Sequence, residues 1–249
     1  MSCVVVVLAA GKGTRMKSDL PKVLHQASGR ALLDFVLDIG QGVAEADHIV
    51  VVVGHRADCV SDHVKDRGVL TALQEPQLGT GDALRVAMEA APDGDIVVVL
   101  SGDVPLLRQT TVDRLVDSVE KGAEAVVLTA VLAEPGAYGR VVRGPGGGVL
   151  AIIEAKDADA ETLLLNEVNA GVYAFRRPSL EQALASLKPD NAQGEYYLTD
   201  VIRWLTRRSL PVAAAILDDP DEMQGVNTRE DLHRVEQVLA SRAKAVESW

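Results

Sequence analysis

An α/β fold, with a mainly parallel sheet sandwiched by helices and a small mixed β insertion, is predicted by three features of this 249-residue chain. Apolar runs without polar interruption recur at Val4–Val7, Ile49–Val53 and Ile96–Leu100, and a longer run at Ala125–Leu132 is broken only by Thr129; such runs read as strands covered on both faces. Stretches of helical apolar spacing separate them, and strands alternating with helices give parallel pairing. Past about residue 135 the pattern changes to a glycine-punctuated hairpin, which predicts the mixed insertion.

The first strand runs into Leu8-Ala9-Ala10-Gly11-Lys12-Gly13-Thr14-Arg15-Met16, followed by Pro21-Lys22. Glycines there let backbone N–H groups converge on an anion. Lys12, Arg15 and Lys22 place three cations within eleven residues, a combination suited to a triphosphate. The loop is neither a dinucleotide fingerprint, since Met16 stands at the third glycine position, nor a Walker loop.

A turn at Ser28-Gly29-Arg30 and a helix over 31–39 follow. The second strand ends at Gly54, with His55 read as a turn neighbour. Val69–Leu73 is a weaker strand leading into Gln74. From Gly81, the positions Ala83, Leu84, Ala87, Met88 and Ala91 recur at helical spacing, so a helix N-terminus lies beside Gly79 and Thr80, a place suited to phosphate or hydroxyl groups. The strand at Ile96–Leu100 carries Asp103 beyond its carboxyl end, where ligands collect in open parallel sheets. Asp103 is placed for metal; capping of the next helix is the competing role, and Thr110-Thr111 offers that helix a later start. The strand Ala125–Leu132 continues the sheet. Tyr138–Arg143 and Val149–Glu154 flank Gly144–Gly148 as an antiparallel hairpin. A strand at Val168–Phe175, a helix around Leu180–Leu187, a polar stretch Asn191–Asp200, a helix through Ile202 and Leu205, and a strand at Val212–Ile216 complete the order. Asn227 precedes a helix running from Thr228, so residues 1–227 are predicted to form the domain and 228–249 a helical arm.

Formal net charge is -11, from 25 basic and 36 acidic residues, which disfavours nonspecific nucleic-acid binding and makes the basic first loop a local contrast. Cys3 and Cys59 offer neither metal spacing nor a disulfide framework. The apolar runs are far shorter than a membrane span and no leader pattern opens the sequence. The expectation is a cytoplasmic protein without membrane or nucleic-acid partners.

Leu8-Ala9-Ala10-Gly11-x-Gly-Thr-Arg-Met with Pro21-Lys22 resembles the signature of sugar-1-phosphate nucleotidylyltransferases, and later motifs resemble its N-acetylglucosamine-1-phosphate uridylyltransferase branch. The resemblance implies a Rossmann-like nucleotidyltransferase fold and Mg2+-dependent transfer of UMP from UTP to N-acetylglucosamine-1-phosphate, for cell-wall precursor synthesis. It assigns Leu8, Ala9, Ala10 and Gly11 to the uridine, Arg15 and Lys22 to the phosphates as catalytic cations, Gln74 to the uracil, and Gly79 and Thr80 to the same pocket. An amide can satisfy a donor and an acceptor on a base edge together. Asp103 in Ser-Gly-Asp-Val-Pro and Asn227 in Gly-Val-Asn match the magnesium pair; Gly139, Glu154, Asn169, Tyr197 and Thr199 match sugar-binding positions. Each motif alone is weak, but six in order across almost the whole chain are specific.

The chain departs from that pattern at Ser101 and Ala170, the latter removing a threonine hydroxyl from the implied sugar pocket. It also lacks the hexapeptide repeats that follow in this branch, so acetyl transfer and family-type trimerisation are not expected. A different nucleotide or sugar phosphate, or a non-catalytic nucleotide-sugar binder, are the rival readings; retention of Arg15, Lys22, Asp103 and Asn227 disfavours the second.

Overall fold

The computed structural model describes residues 1–247, so the last two residues of the expected arm lie outside it. The strands are β1 (Cys3–Leu8), β2 (Gln26–Ala27), β3 (Arg30–Ala31), β4 (Ile49–Val53), β5 (Leu70–Leu73), β6 (Ile96–Ser101), β7 (Ala125–Val131), β8 (Arg140–Arg143), β9 (Val149–Ile153), β10 (Glu167–Arg176) and β11 (Val212–Ile216). The helices are α1 (Leu32–Gln41), α2 (Ala57–Val64), α3 (Thr80–Ala90), α4 (Gln109–Glu120), α5 (Ala160–Leu163), α6 (Arg177–Leu184), α7 (Thr199–Thr206) and α8 (Arg229–Glu247).

The main sheet runs β11-β7-β10-β6-β1-β4-β5, with the β8–β9 hairpin attached through β10. Every neighbour pair along that order is parallel except those made by β10, which lies antiparallel between β6 and β7. Thus β7 belongs to the sheet but does not abut β6, because the β10 strand is interposed. In β1, Val5 and Val7 face α1, α2 and α4, whose Leu33, Leu37, Val60, Val64, Val112 and Leu115 share their core. Val4 and Val6 face α3, α6 and α7 through Leu84, Ala87, Leu180, Ile202 and Leu205. The continuous valine run therefore serves two helical layers with alternate side chains. A third apolar cluster joins Met16 of the first loop and Leu32 of α1 to Leu106, Val226 and Val235, seating α8 against the domain.

Register aligns the carboxyl ends that matter: Leu8 pairs with Val52 and with Ser101, and Val53 pairs with Leu73. The loops after β1, β4, β5 and β6 consequently open on one edge of the sheet, where parallel sheets collect ligands.

Candidate active site

The loop after β1 turns through two short 3-10 segments, Thr14–Met16 and Lys22–Leu24. Gly13 sits at φ +57, and a Cβ there would lie 2.7 Å from the Cβ of Lys22. Glycine is what lets the lysine segment fold back against the loop. Four candidate residues from three distant stretches meet at this place. Lys22 Nζ pairs with Asp103 Oδ2 and donates to Asn227 Oδ1 at 3.0 Å, while Arg15 Nη2 donates to the same Asn227 oxygen at 2.9 Å.

Neither oxygen donor is a helix cap. Helix α4 begins at Gln109, six residues past Asp103. Thr228 and Asp231 close the first turn of α8 by exchanging N–H bonds, Asp231 N to Thr228 Oγ1 at 3.1 Å and Thr228 N to Asp231 Oδ2 at 2.9 Å. That second carboxylate oxygen also holds the backbone N–H of Asn227 at 3.0 Å. The Val226 N–H donates to the Asp103 carbonyl at 2.9 Å, stitching the loops that carry Asp103 and Asn227 together. One carboxylate and one amide oxygen converge on a single ammonium, so the same hard-oxygen pair fits Mg2+ held jointly with substrate phosphates. No cluster of three or more His, Cys, Asp or Glu suited to a metal occurs among the described residues.

Beside these groups a cleft of about 300 Å³ is lined by Leu8, Ala9, Ala10, Gly11, Lys22, Gln74, Gly79, Thr80 and Asp103, by Ser101, one of the departures from the family pattern, and by Gln77 and Glu195, which the sequence did not single out. Gln74 is only 3% exposed. Its Nε2 donates to Gly79 O at 3.0 Å and to Asp82 Oδ2 at 2.9 Å. Both hydrogens are thereby committed, so the expectation that this amide offers a donor and an acceptor to a base needs correction: only the carbonyl Oε1 remains. Thr80 Oγ1 accepts the backbone N–H of Leu198 at 3.2 Å, which keeps its hydroxyl hydrogen free while tying α3 to the polar stretch. His55 donates its backbone N–H to Ala10 O at 3.1 Å and lines, with Lys12, Thr14 and Lys17, a second depression of about 430 Å³.

The sugar-binding candidates form a neighbouring group. Thr199 Oγ1 donates to Glu154 Oε1 at 3.1 Å, and a Cβ on Gly139 would lie 3.5 Å from both Glu154 oxygens. Burial pushes the Glu154 carboxyl above its usual range, partly offset by that Thr199 bond. The Asn169 N–H donates to Gly139 O at 2.9 Å. Its side chain is occupied from both ends, Oδ1 accepting from the Gly171 N–H at 3.0 Å and Nδ2 donating to the Tyr173 hydroxyl at 2.6 Å. Asn169 thus retains one amide hydrogen and one lone pair for a ligand. Tyr197 stands apart from these contacts, its hydroxyl accepting from Gln193 Nε2 at 2.8 Å, though it shares a small pocket with Glu154 and Thr199. Ser101 reaches from the cleft to this group, its hydroxyl donating to Gly171 O at 3.3 Å.

A family model described as MobA-like NTP transferase domain matches residues 5–143. The chain is 40% identical over 243 residues to the bifunctional protein GlmU of Clostridioides difficile, covering 97% of this chain and 52% of that protein. It is 45% identical to the GlmU of Heliobacterium modesticaldum, over 96% of this chain and 52% of the relative, and 48% identical to that of Corynebacterium glutamicum strain R, over 93% and 49%. The chain spans about half the length of these curated relatives. A solved nucleotidyl transferase from Methanothermobacter thermautotroptrophicus shares the fold, with a TM-score of 0.65 at 18% identity over 97% of this chain and 99% of that one. No helix among the described residues is long and apolar enough to cross a membrane.

Proposed function

Because the chain belongs to the MobA-like NTP transferase domain family, and is a nucleotidyltransferase domain of the kind found in GlmU, we propose that it transfers UMP from UTP to N-acetylglucosamine-1-phosphate. An oxygen of the sugar phosphate attacks the α-phosphorus; the bond to the β-phosphate breaks and pyrophosphate leaves. The nucleophile is already an anion, so no proton need be removed. What remains for the protein is to align two polyanions and offset the charge between them.

The observation that carries this reading is the meeting of Lys22, Arg15, Asp103 and Asn227 beside the cleft. The two cations suit the triphosphate. Asp103 and Asn227 would hold Mg2+, whose contribution when bound is to neutralise phosphate charge. Gln74 offers the base an acceptor alone, which pairs with the N3–H of uracil and opposes the unprotonated N3 of cytosine. Gly139, Glu154, Asn169 and Thr199 supply a compact set of hydrogen-bonding groups for a hydroxyl-rich sugar carrying an amide. The product would serve cell-wall precursor synthesis.

The test is pyrophosphate release by the purified chain with UTP and Mg2+, offered N-acetylglucosamine-1-phosphate, glucosamine-1-phosphate or glucose-1-phosphate in parallel. Release with the N-acetylated sugar alone is expected. Preferential release with another sugar would move the substrate, and UTP binding without release in any arm would overturn catalysis.

A further inference from the structure

We propose that Asp82 and Arg85 set the base selectivity of the cleft, by fixing which end of the Gln74 amide faces the nucleotide; this rests on the uridylyl-transfer reading above. The two partners of Gln74 Nε2 are a backbone carbonyl, Gly79 O, and a carboxylate oxygen, Asp82 Oδ2. Both only accept. The amide orientation therefore follows from hydrogen-bond chemistry. Turned over, Gln74 would press its own carbonyl against two acceptor oxygens in a site where water cannot relieve them, since Asp82 is 6% exposed.

Asp82 is in turn fixed. Its Oδ1 is paired with Arg85 Nη2, one turn further along α3. The Arg85 guanidinium lies 4.9 Å from the ring centroid of Tyr196. The Tyr196 backbone joins the nucleotide loop on both sides, donating to Leu78 O at 2.8 Å and accepting from the Gly81 N–H at 2.8 Å. A continuous set of contacts thus runs from the Tyr196 loop through Arg85 and Asp82 to the amide at the cleft. Asp82 and Arg85 are absent from the cleft lining, so they are positioning residues that act through Gln74.

A carboxylate has no hydrogen to offer and so enforces one orientation; an amide in its place offers either end. Asp82→Asn is therefore expected to let Gln74 turn its NH2 toward the nucleotide in part of the molecules and pair with the unprotonated N3 of cytosine. The readout is kcat/KM for UTP divided by that for CTP, with N-acetylglucosamine-1-phosphate and Mg2+ held constant, alongside thermal unfolding of each protein. The ratio should fall by about tenfold or more in Asp82→Asn, with a smaller change in kcat at saturating UTP. Should that variant fail to fold, Arg85→Met carries the test from the half-exposed end of the contacts. It leaves Asp82 free to rotate and should lower the ratio in the same direction, and Arg85→Lys should restore part of it. An unchanged ratio in folded variants, or equal losses with both nucleotides, would overturn the proposal. A wild-type enzyme that does not favour UTP over CTP would overturn the uridylyl reading itself, an outcome visible before any variant is compared.

Discussion

The Lys22 ammonium lies between the two oxygens proposed above to hold Mg2+, so under that proposal lysine and metal compete for the same place. The ammonium contacts both oxygens suited to a metal, with the lysine and Asp103 side chains only 16% and 17% exposed, so solvent screens the pair incompletely. Lys22→Met keeps the packed stem and removes the charge. Turnover should fall about 10²–10³-fold, the usual loss when one group stabilising transition-state charge is deleted. The Mg2+ concentration for half-maximal rate should fall as well, because Asp103 and Asn227 no longer face a competing ammonium. Near-normal turnover in a Mg2+ titration would remove Lys22 from the chemistry; an unchanged half-saturation would mean that lysine and metal do not share these oxygens. Lys22 is singled out from sequence because four cations, Lys12, Arg15, Lys17 and Lys22, crowd one loop of an otherwise acidic chain. The Asp82–Arg85 pair is not, since an acid and a base three residues apart read as an ordinary exposed helix pair. Nor is the orientation of the Gln74 amide, which depends on where the Gly79 carbonyl comes to lie after folding.

At the scale of elements, the strands along β1, β4 and β6 are readable because burial on both faces leaves no polar interruption. The antiparallel insertion of β10 is not readable from such runs, since Val-rich strands look alike in either direction. Helix α2 escapes the sequence reading because it buries only Val60 and Val64, too short an apolar stripe to show a period. Helix α6 starts at Arg177, with Pro178 in its first turn, three residues before the apolar position Leu180 from which its spacing becomes visible. Helix α8 matters more than its amphipathic pattern suggests, because its first turn holds Asn227: Asp231 accepts from both the Asn227 and Thr228 N–H groups. Asp231→Ala removes a capping carboxylate, a loss of about 1 kcal/mol, which should lower the melting temperature by about 2–4 °C and raise the Mg2+ requirement severalfold as Asn227 loosens. Ser241→Ala, on the same helix and donating to the Val238 carbonyl, should change neither. A melting shift with an unaltered Mg2+ titration would reduce Asp231 to a cap.

For the molecule as a whole, the proposed transfer requires two groups of residues built on different parts of the sheet to act on one reaction, and the segment from Glu195 to Thr199 joins them. Tyr197 and Thr199 belong to the sugar-side group, whereas the Tyr196 backbone and the Leu198 N–H grip the nucleotide loop at Leu78, Thr80 and Gly81. Gly79 sits at the tightest point of this junction. Its φ is +112, and a Cβ would lie 2.6 Å from Tyr196 O and 2.9 Å from Tyr196 N, both backbone atoms that cannot swing aside. Gly79→Ala therefore imposes strain of about 1–3 kcal/mol, relieved by moving the 195–199 segment away from α3. Such a displacement disturbs both substrate groups together, so the KM values for UTP and for the sugar phosphate should rise in parallel while the melting temperature falls. Gly148→Ala, at the tip of the β8–β9 hairpin where a Cβ meets nothing within 4 Å, should leave all three unchanged. Steady-state kinetics with each substrate varied in turn decides the matter: a KM increase confined to UTP would show that the junction serves the nucleotide alone, whereas parallel increases make it the element through which the two halves of the site are kept in register.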